Sequence, residues 1–478
     1  MKHSNLPVAV IGAGPVGLAA AAHLVARGLE PLVLEAGPGP GANVLEWGHV
    51  RLFSPWKYVV DVEAERLLAA TGWSRPVGEA YPSGRELVER YLAPLAAAPE
   101  LRDRIRFGAR VVAATREGID RQKSAGREAA PFVLRVEYAN GREEDLRAAA
   151  LIDASGTWNS PNPAGANGQP ALGERRLEER IAYGIPDAKG RERGRYAGRR
   201  TLVVGSGHSA FNALLDLLDL AEGTAGTEVV WAVRRPSLRS VFGGGENDQL
   251  PERGRLGQRL RAHVDAGRLR VELGFRLERF DREADGRIVA VSVDRRLQPV
   301  DQVVAATGFR PDLTLLAELR TGLDPATEAP VALAPLIDPN VHSCGTVRPH
   351  GFEELKHPEP DLYVIGMKSY GRAPTFLLLT GYEQARSVSA ALAGDLVAAR
   401  EVRLVLPETG VCGGSGREDG LPAAGGCCGT EPTGEAAQLP LRRRADTPLP
   451  RAAPADSSCG ANGRSGATEH EPAANPLG

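Results

Sequence analysis

The sequence predicts an α/β protein of two nested, doubly wound units with β-meanders, followed by a C-terminal tail without regular structure. Three observations predict it. A strand, a glycine turn, a helix and a second strand occur in that order near the N-terminus and again from Thr201. Each copy is followed by strands joined through Asn-Gly or Asp-Gly and closed by an Ala-Ser-Gly or Ala-Thr-Gly passage. Beyond about Pro407 periodicity and aromatic residues are both gone.

Val8-Ala-Val-Ile11 is a short apolar run of the kind buried in a parallel sheet, and Gly12 to Gly17 is a turn. Val16 to Arg27 is rich in Ala and Leu and reads as a helix that Gly28 can stop, and Pro31 to Leu34 is the next strand. Phe132 to Tyr138, an Asn140-Gly141 hairpin and Ala149 to Asp153 then lead into Ala154-Ser155-Gly156. The second copy starts with Thr201 to Val204, turns through Gly205 to Ala210, runs helically to about Ala221 and continues as Glu228 to Val233. Its meander is expected in Arg268 to Leu273, an Asp285-Gly286 hairpin and Ile288 to Val293, with Gln302 to Ala305 leading into Ala306-Thr307-Gly308. Both hairpins are expected to use type I′ turns, in which both central residues have φ > 0.

The resulting organisation is residues 1–160 for the first part of one unit and 161–310 for the second unit with connecting segments. Residues 311–405 return to the first unit, and 406–478 form the tail. Dominated by Gly, Ala, Pro, Ser and Thr, that tail buries too little apolar surface to offset its ordering entropy and is expected to be disordered.

A net charge of −2 gives no electrostatic case for nucleic acid or an anionic membrane as partner. Arginine outnumbers lysine 52 to 6 along the whole chain, which is a compositional bias and not a binding surface. No apolar run reaches the roughly 18–20 residues of a membrane span. The run from Val8 carries glycines at meaningful spacing and lacks a cleavage context, so the expected compartment is the cytoplasm. Five cysteines there do not suggest a disulfide framework.

The chemistry is concentrated in the two turns. In Gly12-Ala13-Gly14-Pro15-Val16-Gly17 the first glycine permits the turn, the second admits a pyrophosphate to the backbone, and the third lets helix and strand pack closely. The helix start supplies unpaired N–H groups and a positive dipole end. Glu35, 23 residues after Gly12, is an acceptor for a ribose diol and repels a 2′-phosphate. Gly205-Ser-Gly207-His-Ser209-Ala210 repeats the pattern with alanine in the third place. After its second strand stand Arg234 and Arg235, which suit a 2′-phosphate and hence NADPH. Both units are therefore read as Rossmann-like dinucleotide-binding domains.

Over roughly residues 5–400 the chain resembles the flavin-containing monooxygenase branch of the two-dinucleotide flavoproteins. The two turns, Glu35, Ala306-Thr-Gly-Phe-Arg-Pro311, Tyr81-Pro82 with Tyr91-Leu92, and Ala154-Ser-Gly-Thr-Trp-Asn-Ser-Pro161 carry the resemblance. It implies FAD at the first turn and NADPH at the second, with Ala154, Ser155, Gly156, Thr307 and Gly308 beside the dinucleotides. The run Asp361 to Gly366 resembles the late strand that meets the flavin, followed by a helix near Tyr382 to Leu392. It further implies hydride transfer from NADPH, reaction of reduced flavin with O2 to a C4a-(hydro)peroxide, and delivery of one oxygen atom to a soft nucleophile such as a trivalent arsenical, a sulfide or an amine. A homodimer is carried as an expectation.

Two departures stand out. The Phe-x-Gly-x-x-x-His signature of the family is missing from residues 165–200, and Ser54 stands where its active-site asparagine is expected, so no catalytic residue is assigned. The nucleotide units contain no Cys-x-x-Cys or Cys-x-x-x-x-Cys pair, which leaves a disulfide-reductase mechanism without its dithiol. Cys412, Cys427 and Cys428, joined in the tail by Cys459, are soft thiolates that suit thiophilic ions, and the layout resembles flavin monooxygenase-like proteins associated with arsenic resistance. The alternatives are an NADPH-dependent flavin reductase without oxygen insertion and a metalloid-binding protein acting through its tail.

Overall fold

Why the first strand is apolar at every position is explained by its two covered faces. In the computed structural model, which describes residues 5–239, 241–243, 250–341, 349–373 and 377–404, β1 (Val8–Ile11) lies inside a parallel sheet. Val8 and Val10 face a helical layer, and Ala9 and Ile11 face a β-meander. Parallel sheets covered on both sides give such continuous apolar runs. The chain passes through α1 (Pro15–Ala26) to β2 (Pro31–Leu34) and a short helix, α2 (Ala42–Glu46). From Val16 to Leu24 every residue of α1 is buried, and its alanines let it sit close to its neighbours.

β3 (Ile105–Arg106) extends the sheet, and β4 (Ala109–Arg116), β5 (Phe132–Tyr138) and β6 (Glu143–Ala148) form the antiparallel meander. β7 (Ala150–Asp153) returns to pair with β1, Ile11 opposite Asp153. The second unit comprises β8 (Ile181–Tyr183), β9 (Arg200–Val204), α3 (His208–Gly223), β10 (Glu228–Val233), α4 (Pro251–Asp265) and β11 (Arg270–Leu273). An antiparallel pair, β12 (Arg279–Arg282) and β13 (Ile288–Val291), precedes β14 (Gln302–Ala305). β15 (Leu362–Val364) and α5 (Leu378–Leu392) bring the chain back to the first unit.

The two main sheets have the orders β15-β7-β1-β2-β3 and β11-β10-β9-β14-β8. In each, the strand entering the glycine turn lies between the next strand in sequence and one that arrives later. Crevices at the carboxyl ends of such strands are the usual ligand sites of open α/β sheets. The described residues fall within a single compact unit.

Three expectations need correction. Arg270–Leu273 is not part of a meander; it pairs in parallel with β10, so the second unit has only the two-stranded β12–β13 hairpin. The helix before the C-terminal region starts at Leu378, not near Tyr382. Neither hairpin is type I′. Gly141 and Gly286 have positive φ, but Asn140 and Asp285 do not. Instead each Asn or Asp side chain accepts the N–H two residues on, of Arg142 and Arg287 respectively. That local bond favours a right-handed turn followed by a left-handed glycine.

Candidate functional site

Both glycine turns are shaped by the strand end beside them. Gly12 has φ +99°, and a Cβ there would lie 2.9 Å from the Ala154 carbonyl oxygen. Gly205 has φ +133°, and a Cβ there would lie 2.2 Å from the Ala306 carbonyl oxygen. The Ala-Ser-Gly and Ala-Thr-Gly passages are thus the matching inner walls of the two turns. Gly17 serves packing, since its Cβ would fall 2.0 Å from the Gly12 oxygen, and the third small residue of the second turn, Ala210, is fully buried.

Gly14 and Gly207 are the N-caps of α1 and α3. Neither helix receives a side-chain cap, so their first-turn N–H groups are left for another acceptor. A Cβ on either glycine would meet no atom within 4 Å. The backbone there borders open space, as a phosphate site requires. Pro15 at the first helical position costs nothing, because its missing N–H would have lacked a partner in the helix.

At the first turn this space is a cavity of about 290 Å³. Gly12, Gly14, Pro15, Glu35, Ala154, Ser155, Gly156 and Gly366 line it, all of them named from the sequence. Ala13 does not, but its N–H donates to Glu35 Oε2 at 2.7 Å while the Gly37 N–H donates to Oε1 at 2.7 Å. The carboxylate is thereby aimed at the turn and keeps lone pairs for further donors. Gly366 is held by its N–H, which donates to Gln384 Oε1 of α5 at 2.7 Å.

The rest of the wall has no motif. Asn43, Val44 and Trp47 come from α2 and its end, and Leu52, Leu87 and Leu378 from distant segments. Thr157, Trp158, Phe309 and Met367 also line it. The asparagine of the cavity is therefore residue 43, whereas the expectation fell on position 54. Trp158 and Phe309 stack with ring centroids 4.9 Å apart and 27° between planes. Their segments are zipped together: Pro161 bridges Phe309, Asn162 N–H donates to Gly308 O, and Arg310 N–H donates to Ser160 O. The Thr307 hydroxyl is committed to the Asn162 carbonyl at 2.7 Å, so it fastens the Ala-Thr-Gly strand end to the segment after Pro161.

Behind Ser155 lies a buried ion pair that no sequence signal marked. Lys368 Nζ contacts Asp153 Oδ2 at 2.6 Å and Ser155 Oγ at 3.0 Å, and Ser155 Oγ donates to Asp153 Oδ1 at 2.6 Å. At the second turn, Trp231 donates its indole N–H to the Gly205 carbonyl at 2.7 Å. Ser209 is half-buried in the first turn of α3. Arg234 is exposed, with a guanidinium N–H donating to the Ala166 carbonyl at 3.0 Å, and Arg235 is half-buried, its carbonyl accepting from Gly274.

Among the described residues no group of His, Cys, Asp and Glu could hold a metal, and no helix is long and apolar enough to cross a membrane. Cys412, Cys427 and Cys428 lie outside the described residues.

Two parallel sheets, each ending in an uncapped glycine turn, define a two-dinucleotide α/β oxidoreductase. The chain belongs to the pyridine nucleotide-disulphide oxidoreductase family, which it matches over residues 9–332, and it is an FAD- and NAD(P)H-dependent oxidoreductase. It is 28% identical over 333 residues to a ferredoxin–NADP reductase of Salinispora tropica, covering 67% of this chain and 79% of that protein. A ferredoxin–NADP reductase of Thermus thermophilus is 25% identical over 352 residues, 73% of this chain and 86% of that one. In fold the chain is similar to bacillithiol disulfide reductase from Bacillus cereus (TM-score 0.57, 19% identity, 81% of this chain and 99% of that one). It is also similar to a cadaverine monooxygenase of desferrioxamine biosynthesis from Erwinia amylovora (TM-score 0.56, 15% identity, 84% and 98%).

Proposed function

We propose that the protein is a flavin monooxygenase that consumes NADPH and transfers one oxygen atom of O2 to a small, soft nucleophile, with a trivalent arsenical as the first candidate. NADPH supplies two electrons as a hydride, one oxygen atom goes to the substrate, and the other leaves as water with the hydride's hydrogen and a proton taken from solvent. The observation that carries this reading is the cavity wall. Val16, Val44, Trp47, Leu52, Leu87, Trp158, Phe309, Met367 and Leu378 surround it, and among the described residues Glu35 is the only charged one that lines it. We infer that so apolar a wall limits water around what it holds, a condition that oxygen transfer needs more than simple electron relay does.

The residues present fit FAD, whose place the open face of Gly14, the uncapped start of α1 and the Glu35 carboxylate mark. FAD and NADPH are the cofactors; FAD when bound supplies the hydride acceptor and the reactivity toward O2. The protein's part is positional. The N–H groups at the start of α1 bind phosphate, Glu35 accepts ribose hydroxyls, and the Lys368–Asp153–Ser155 cluster fixes the loop opposite. Arg234 and Arg235 give the second site its preference for a 2′-phosphate. In this reading residues 1–160 and 311–405 make the FAD unit and 161–310 the NADPH unit.

A second reading, a reductase that passes electrons on without oxygen insertion, is favoured by the ferredoxin–NADP reductases among the relatives. Turnover under isotopically labelled O2 separates the two. Labelled oxygen in the product, with little peroxide, supports the monooxygenase. Peroxide equal to the NADPH consumed, whatever the substrate, overturns it. The arsenical is tested by comparing arsenite binding and turnover of the full chain with those of a variant ending near Pro407. Equal behaviour would leave Cys412, Cys427, Cys428 and Cys459 without a part in it.

A further inference from the structure

Phe53, next to the cavity-lining Leu52, sits with its ring centroid 5.7 Å from that of His208, the first residue of α3. The contact joins the wall of the first cavity to the helix that starts at the second glycine turn. It continues inward. His208 stands edge-on to Phe211 at 5.8 Å, and Phe211 meets Trp231 at 6.0 Å and 90°. Trp231 closes the circuit through its hydrogen bond to the Gly205 carbonyl. Phe211 and Trp231 are fixed in the core, at 1% and 0% exposure. Phe53 and His208 are half-buried and are the two members with room to adjust.

We propose that Phe53 and His208 are positioning residues that couple occupancy of the second glycine turn to the shape of the first cavity. The proposal rests on the coenzyme reading of that turn. A phosphate seated at the start of α3 meets the backbone of the residues that carry the His208 ring, and that ring meets Phe53. A shift at the turn is passed through packed rings to the Leu52 segment of the wall. Because packed contacts rearrange between discrete fits, a small displacement is not simply absorbed. Coupling of this kind is reciprocal, so the loaded cavity also acts on coenzyme affinity. The wall then takes its working shape only once the coenzyme is in place.

The test uses the full-length, FAD-loaded protein and 2′-phospho-ADP-ribose, which carries the coenzyme's phosphates but no nicotinamide. Having no nicotinamide to lay against the flavin, and its adenine being held at the far end of the coenzyme site, the probe acts on the flavin spectrum through the protein. In the unsubstituted protein a saturable change in flavin absorbance is expected, with the same dissociation constant as calorimetry gives. Phe53→Leu and His208→Ala should bind the probe with affinity changed by no more than about 150-fold, the upper end of typical coupling strengths, and lose the spectral change. Phe53→Tyr, which keeps the ring, should retain it. FAD content and circular dichroism confirm that each variant is folded. Probe binding without a spectral change in the unsubstituted protein, or an undiminished change in both ring-removing variants, overturns the proposal while sparing the coenzyme reading. No probe binding at all overturns both.

Discussion

Lys368 Nζ lies 2.6 Å from Asp153 Oδ2, with only 1% and 0% of the two side chains exposed. The pair ties the end of β7 to the segment after β15, across 215 residues of chain. Removing one partner strands the other charge away from water. Lys368→Met is expected to cost about 3–5 kcal/mol in urea unfolding, and Lys368→Met with Asp153→Asn to recover most of it. A loss below about 1 kcal/mol would class the pair with exposed ion pairs.

Gly14 and Gly17 should respond in opposite ways. Gly14 has φ −78° and ψ −176°, open to any residue, and no atom within 4 Å of a Cβ. Gly14→Val should fold with stability changed by less than about 1 kcal/mol and lose its FAD, because the side chain fills the phosphate's place. At Gly17 a Cβ would sit 2.0 Å from the Gly12 oxygen, so Gly17→Val should fail to fold. Thermal melts and the flavin content of both proteins check this. Yellow Gly14→Val protein with undiminished FAD would remove the turn from the site.

Arg234→Ala with Arg235→Ala should weaken NADPH at least about tenfold while NADH changes little, since each charged hydrogen bond lost is worth roughly 1.5–3 kcal/mol. Arg234 also holds the Ala166 carbonyl, so some stability is expected to go with it. The ratio of the two coenzymes' kcat/KM values reads preference apart from stability. An unchanged ratio would withdraw these residues from the 2′-phosphate.

His357 gives the fold an acid sensitivity. Burial pushes its imidazole down to about 4, with nearby Asp153 acting the other way. The unfolded chain, near the ordinary value of about 6.5, takes up the proton first. The stabilisation is therefore complete above about pH 6.5 and is lost as pH falls toward about 4, at most about 3 kcal/mol. His357 Nδ1 accepts the Gly322 N–H at 3.3 Å, a bond that an asparagine oxygen can also accept. His357→Asn should flatten the unfolding free energy across this window. Equal slopes for both proteins would remove His357 as the source of the acid sensitivity in this window.

What the sequence disclosed was local. The glycine turns, Glu35 and the strands around them were legible because their requirements act between residues close in the chain. The hairpins were legible as hairpins, but their turn type was not. It depends on whether Asn140 and Asp285 adopt positive φ or bond their own backbone, and the same dipeptide permits either. Asn43, Leu87 and Leu378 reach the cavity only through folding, and nothing in their own neighbourhoods marks them. Trp158 and Phe309 lay within quoted passages, yet that the two rings meet is a property of the zipped crossing.

The nesting of the two units fixes an order of assembly for a chain made from its N-terminus. Every strand of the second sheet lies between residues 181 and 305. The first sheet gains its edge strand only with β15, Leu362 opposite Leu151, and α1, already packed on the helix at Val62–Ala69, gains its largest helical neighbour only with α5. While a ribosome is still adding those last segments, the middle unit already holds all its strands, and the leading one still exposes apolar helix and sheet surface. Contacts that wait on distant residues form slowly and leave such surface open to association. The portion synthesised first is thus finished last, and its dependence on chaperones during synthesis should exceed that of the portion it encloses.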